Sequence, residues 1–251
     1  MNPFFTGVSR TRCGHWVAPL FLVCLALPVT AADRPDVLMI AVDDLRPMLG
    51  CYGDKRMKTP NIDQLAREGV LFERAYCQYA KCGTSRLSLM TGLRPDAIRV
   101  FSNRDKDLAD FRKRRPDAIS LARWFKQHGY HTQSFGKIYH DGWDLATDWS
   151  VASSPGRPGE MLEVAEASGK QPTIIAERFA CPAMQSPDVA DDYFFAGRMT
   201  QQVLQVMRDR QVKKPRFLAV GYRRPHLPLV APKRYFDLYQ PNASWMARNQ
   251  Q

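Results

Sequence analysis

DVLMIAVDD, residues 36–44, is an almost wholly apolar run that stops at two adjacent carboxylates, Asp43 and Asp44. A continuous apolar segment bounded by polar residues reads as a strand buried on both faces, as in a parallel sheet. The same grammar repeats downstream. Thr59-Pro60 reads as a helix N-cap and first helical position, with Ile62, Leu65 and Ala66 on one face and Gly69 as the stop. Residues 70–76 follow as a strand candidate. Residues 119–128 (ISLARWFKQH) read as an amphipathic helix ended by Gly129, and residues 130–135 return to strand. A third round places a helix over 191–210 and a strand over 217–222 (FLAVGY). Strands alternating with helices predict an α/β fold in which helices sandwich a mostly parallel central sheet. Ligands of such sheets collect beyond the carboxyl ends of the strands. Asp43-Asp44 and the residues after Tyr222 occupy two such ends.

The chain has 251 residues, 45% hydrophobic and 24% charged, an ordinary globular composition rather than a disordered one. Residues 1–31 carry Arg10 and Arg12, then a short apolar run over 16–29 and small residues at Val29-Thr30-Ala31. That pattern predicts a cleaved secretory signal peptide, too short for a spanning helix, so an exported (secreted or periplasmic) protein with no membrane partner after cleavage is expected. The remainder, 32–251, is expected to form one catalytic portion. The formal charge of +11 favours acidic partners. No nucleic-acid fold signature accompanies it, so nucleic acid is not expected among them. Outside the leader, Cys51, Cys77, Cys82 and Cys181 match neither a zinc site nor a small disulfide scaffold. Residues 153–172 read as a surface excursion, and Asn242-Ala243-Ser244 is a glycosylation sequon.

The candidate chemistry sits in short segments. Asp43 and Asp44 repel each other unless a cation or several donors compensate, and Ca²⁺ or Mg²⁺ would supply that compensation. Taken alone, the pair also reads as a solvated turn. Cys82 opens Cys82-Gly83-Thr84-Ser85-Arg86-Leu87-Ser88-Leu89-Met90-Thr91-Gly92. Thr84 and Ser85 are helix-initiating residues, so Cys82 is expected near a helix N-terminus, where negative charge is favoured. Arg86, one turn on, would aim its guanidinium fork back at an anion. A buried, inert thiol is the competing reading. Lys137 and His140 read by themselves as an exposed pair after a strand. His226 reads as a loop histidine, with Arg223 and Arg224 beside it favouring an anion.

Together these segments resemble the sulfatase family of the alkaline-phosphatase-like superfamily. Cys82 to Gly92 resembles its Cys-x-Pro/Ala-x-Arg signature with a following Thr-Gly, and Val42-Asp43-Asp44 its first metal-binding motif. Gly136-Lys137-Ile138-Tyr139-His140 is similar to its Gly-Lys-x-x-His, and FLAVGYRRPH over 217–226 to the strand leading into its Lys-Pro-His. Within the family the iduronate-2-sulfatase branch and its bacterial relatives are most similar, over nearly all of residues 36–239. The resemblance implies hydrolysis of a sulfuric ester on a sulfated sugar. Cys82 would be oxidised to formylglycine by a separate generating enzyme, and the aldehyde hydrate would be the nucleophile. Asp43, Asp44 and the modified Cys82 would be metal ligands for Ca²⁺ or Mg²⁺. Arg86 would steady the hydrate, Lys137 and His140 would hold sulfate and diol, and His226 would contact sulfate and protonate the leaving alcohol.

Two departures qualify the match. Thr84 stands where the family has Pro or Ala, a position the converting enzyme reads. Nothing after His226 resembles the family's later Ser-Asp-His-Gly-like metal segment and sulfate-binding lysine. The chain is therefore expected to be the N-terminal part of the domain, with an incomplete metal site and doubtful turnover. Two further functions fit these residues: phosphoester or phosphonate hydrolysis on the same fold, and inactive binding of sulfated glycans through the basic surface.

Overall fold

The computed structural model describes residues 34–152, 174–175, 178–179 and 184–239. Residues 1–31, expected as a signal peptide, residues 153–172, expected as a surface excursion, Cys181 and the sequon at Asn242 lie outside them. Among the described residues no helix is long and apolar enough to cross a membrane.

Three parallel strands form the sheet: β1 (Val37–Val42), β2 (His131–Gly136) and β6 (Arg216–Tyr222), in the order β1-β6-β2. The last of these three in sequence is thus the central one. Its first six residues are buried, which is why its sequence is an unbroken apolar run after Arg216. Short strands β3 (Ile174–Ile175) and β4 (Arg178–Phe179) pair antiparallel, and β5 (Met184–Gln185) pairs parallel with β7 (Leu229–Val230).

Helices cover both faces, as the strand–helix alternation predicts. Successive residues of β6 point to opposite sides. Phe217 and Ala219 enter a core with Leu87 and Met90 of α2 (Cys82–Thr91), Leu108 and Phe111 of α4 (Asp105–Arg114) and Ala122 of α5 (Leu121–Gln127). Phe217 stacks on Phe125 with centroids 4.4 Å apart. Leu218 and Val220 face the other way, where they meet Phe135 and Met199 and Val203 of α6 (Phe195–Arg208). Full burial of each such side chain is worth about 1.5–3 kcal/mol. On that same face α6 stops short of β1, whose Leu38 and Ile40 remain 43% and 54% exposed. The remaining helices are α1 (Pro60–Glu68), α3 (Pro95–Ile98) and α7 (Lys233–Phe236).

Three expectations need correction. Residues 70–76 form no strand: a strand exists only when its backbone pairs, and no described strand pairs with them, leaving Val70 and Tyr76 about four-fifths exposed. The helix expected over 191–210 is interrupted at Phe194, whose extended backbone (φ −88, ψ 152) separates a 3-10 turn over Asp191–Tyr193 from α6. Phe194 is buried against Val230, and that contact outweighs helical continuity. Helix α2 begins at Cys82 itself, not at Thr84 or Ser85, for a reason found at the site below.

Candidate active site

The site lies at the carboxyl ends of β1, β2 and β6. The Asp43 N–H donates to the Tyr222 carbonyl at 2.9 Å, carrying the β1–β6 ladder one residue past β1 and turning the Asp43 carboxylate inward, 4% exposed. Asp44 then takes a left-handed conformation (φ 55), which Asp tolerates better than most residues, and its side chain reaches solvent. At the end of β2 the Lys137 N–H donates to the Gly221 carbonyl at 2.9 Å. Glycine is required there: a Cβ on Gly221 would run into the Lys137 backbone, and Gly136 has φ +68.

Asp43 is the hub of this end. Its Oδ1 accepts from Arg86 Nε at 3.2 Å and Nη2 at 2.8 Å, and its Oδ2 takes the Lys137 ammonium. Arg86 also donates from Nη1 to the carbonyls of Lys137 and Ile138. One buried guanidinium therefore fastens α2 to the ends of both β1 and β2. Burial alone would push the Asp43 carboxyl upward. The hydrogen bonds and charges of Lys137 and Arg86 together overcome that and hold it below the usual carboxylate value. Arg86 was expected to aim at a ligand anion; the anion it binds is Asp43.

Cys82, half-buried, heads the ten-residue α2. Lys81, at the N-cap, supplies no side-chain cap. The missing acceptor comes from a distant loop: Asn103 Oδ1 accepts from the Gly83 N–H at 3.0 Å, while Asn103 Nδ2 donates to Cys82 Sγ at 3.2 Å. This tertiary cap explains why α2 starts earlier than Thr84 and Ser85 suggest. His140 Nδ1 lies 3.7 Å from the same sulfur, and its ring meets Trp143 edge-on at 5.3 Å. Thr84 is fully buried, and among the described residues its hydroxyl has no hydrogen-bond partner. Cys51, Cys77 and Cys82 are all free thiols.

His226 follows β6. Its Nδ1 lies 2.7 Å from the Leu227 carbonyl, which can only accept, so Nδ1 is the donor there and Nε2 is the ring nitrogen left for other partners. The two neighbouring arginines, expected to favour an anion, serve the protein itself. Arg223 grips Asp141, and Arg224 Nη1 donates to the His226 carbonyl at 2.7 Å.

Ligand atoms of Asp43, Asp44 and His226 all lie within 4.8 Å of one another. Two carboxylates and an imidazole nitrogen could hold a divalent cation; a hard ion such as Ca²⁺ takes six or more oxygens, so these three alone would fill only part of its shell. Cys82, expected as a third ligand, is not in this cluster; His226, expected as an acid, is. Cys82 joins the cluster through Arg86, four residues along the same helix and bonded to Asp43. The structure thus gathers Asp43, Asp44, Arg86, Lys137 and His226 around one strand end and sets Cys82 with His140 beside them. Sequence reasoning missed Asn103 and Asp141. Both are loop residues with polar neighbours, and no local pattern distinguishes them.

The sulfatase family profile matches residues 35–246. Iduronate 2-sulfatase of Homo sapiens is 36% identical over 230 residues, covering 86% of this chain and 40% of that protein. The Mus musculus protein of the same name is 36% identical over 218 residues, covering 84% and 38%. This chain therefore spans about two-fifths of the length of these curated relatives. The solved phosphonate monoester hydrolase of Agrobacterium radiobacter superposes with a TM-score of 0.58 at 24% identity, covering 82% of this chain and 44% of that one, a likeness of fold.

Proposed function

Because the chain belongs to the sulfatase family, we propose that it carries the nucleophile and anion-binding half of a sulfuric ester hydrolase acting on a sulfated sugar, in the manner of its iduronate-2-sulfatase relatives. The observation that carries this reading is the setting of Cys82: it heads a helix, touches His140 and Asn103, and lies one turn from an arginine fastened to Asp43.

Formylglycine made from Cys82 by a generating enzyme would supply an oxygen nucleophile for sulfur. A divalent cation, Ca²⁺ or Mg²⁺, held by Asp43, Asp44 and a nitrogen of His226 would supply charge neutralisation for the sulfuryl oxygens. The chain's own side chains do the rest. His140 Nδ1 exchanges a proton with the residue-82 side chain, whose direction Asn103 sets. Lys137 and Arg86 keep Asp43 anionic, ready for a cation, and Lys137 adds positive charge where sulfate would sit. His226, whose Nδ1 is engaged by the Leu227 carbonyl, would offer Nε2 to that same cation beside Asp43 and Asp44. The signal segment would bring the protein to an exported sulfated glycan, and the net charge of +11 favours that partner.

Two measurements test this. The mass of the peptide carrying Cys82, after expression in the native host, should show thiol-to-aldehyde loss. The protein in Ca²⁺ should cleave p-nitrophenyl sulfate faster than p-nitrophenyl phosphate. An intact thiol at full occupancy, with heparin retention but no ester cleavage, would overturn the hydrolase reading in favour of a glycan-binding protein.

A further inference from the structure

Two histidines work on different loops of this site, His140 after β2 and His226 after β6. We propose that the buried Arg223–Asp141 ion pair is the strut that fixes these two imidazoles relative to each other. Arg223 Nη2 lies 2.5 Å from Asp141 Oδ1 and Nη1 3.3 Å from Oδ2, a two-pronged pairing, with side chains 7% and 14% exposed. A planar fork on a planar carboxylate restrains orientation as well as distance, which a single ammonium contact does not.

Each end of the pair is locally tied to one histidine. Asp141 directly follows His140, whose carbonyl accepts from the Trp143 N–H at 2.9 Å while its ring rests against Trp143. At the other end the His226 N–H donates to the Arg223 carbonyl at 2.9 Å, and Arg224 donates to the His226 carbonyl. Both loops are thus short rigid turns with a histidine and one member of the ion pair on each. Lys137 to Gly221 extends the β2–β6 ladder by one residue, and beyond it both chains leave the sheet. The ion pair bridges the turns where the ladder has ended.

Arg223 and Asp141 are positioning residues. Their catalytic consequence rests on the sulfatase reading; the mechanical coupling does not. The test uses the full chain labelled with ¹⁵N-histidine, with His128 and His131 as reference rings. Asp141→Asn and Arg223→Gln should each move the ring resonances of both His140 and His226, and Asp141→Glu should return His226 toward its parental position. Variants that move only the histidine on their own loop would overturn the strut. Arg223→Lys, which keeps the charge, serves if the Gln variant fails to fold: it too should move His140, and an unmoved His140 refutes the proposal. In turnover, either single variant should lower kcat/KM for the aryl sulfate about tenfold or more, and the double variant should fall little further. Additive losses would count against the coupling. A parent that cleaves no sulfate ester would sink the proposed function while leaving the resonance test to decide the strut.

Discussion

Replacing Arg86 with Met probes the hub directly. The change keeps much of the side chain's volume, removes three hydrogen-bonded nitrogens and leaves Asp43 with Lys137 as its remaining cation. Removing one partner of a buried ion pair costs about 3–5 kcal/mol, because the other charge stays desolvated. The carbonyls of Lys137 and Ile138 lose a donor as well, which keeps the expected loss inside that range despite the retained lysine. For a domain of this size each kcal/mol is worth roughly 2–4 °C, so the melting temperature should drop by roughly 6–20 °C. Urea unfolding across pH separates charge from packing. The Asp43 carboxyl is held low in the folded protein, so its stabilising contribution is complete above the unfolded value of about 3.9 and disappears as pH falls through the folded one. The gap between parent and Arg86→Met should therefore be widest near neutrality and narrow on acidification. A variant within about 1 kcal/mol of the parent at neutral pH, or a gap independent of pH, would refute the assignment of Arg86 as the charged tie between α2 and the sheet.

Asp44→Asn should weaken Tb³⁺ or Ca²⁺ binding, read by luminescence or calorimetry, about tenfold or more while leaving the melting temperature nearly unchanged, because Asp44 is exposed and outside the buried network. Asn103→Ala removes the tertiary cap of α2; it should cost about 0.5–2 kcal/mol in chemical unfolding and, in unconverted protein, speed alkylation of Cys82 relative to Cys77. Thr84→Ala deletes a buried hydroxyl without a partner and one methyl group. Those terms roughly offset at about 1 kcal/mol each, so stability should hold while conversion of Cys82, read by peptide mass, rises.

Much of the site was legible because its signals are local. The apolar run ending at Asp43-Asp44 announces a strand and what stands at its end. The four-residue step from Cys82 to Arg86 places both on one helical face whatever surrounds them. Lys137 and His226 were legible only through the order of the family motifs: β2 ahead of Lys137 is mostly polar (HTQSFG), and His226 alone reads as a loop histidine. Asn103 and Asp141 were not, since their partners lie 20 to 82 residues away and neither belongs to a periodic pattern. The apolar letters of residues 70–76 misled for a related reason: they describe a strand's side chains, while a strand is made by the backbone it pairs with.

By itself, the sequence determined the three strands of the sheet, helices α1, α2 and α5 and which reactive side chains sit at their ends, because these follow from periodicity and chain adjacency. Only the tertiary structure decided that β6 lies between β1 and β2, and that Arg86 is bonded to Asp43. It alone brought a His226 nitrogen within 4.8 Å of the paired aspartates. Such outcomes depend on pairing and burial between residues far apart in the chain, where the gain in contacts must exceed the entropy of closing long loops.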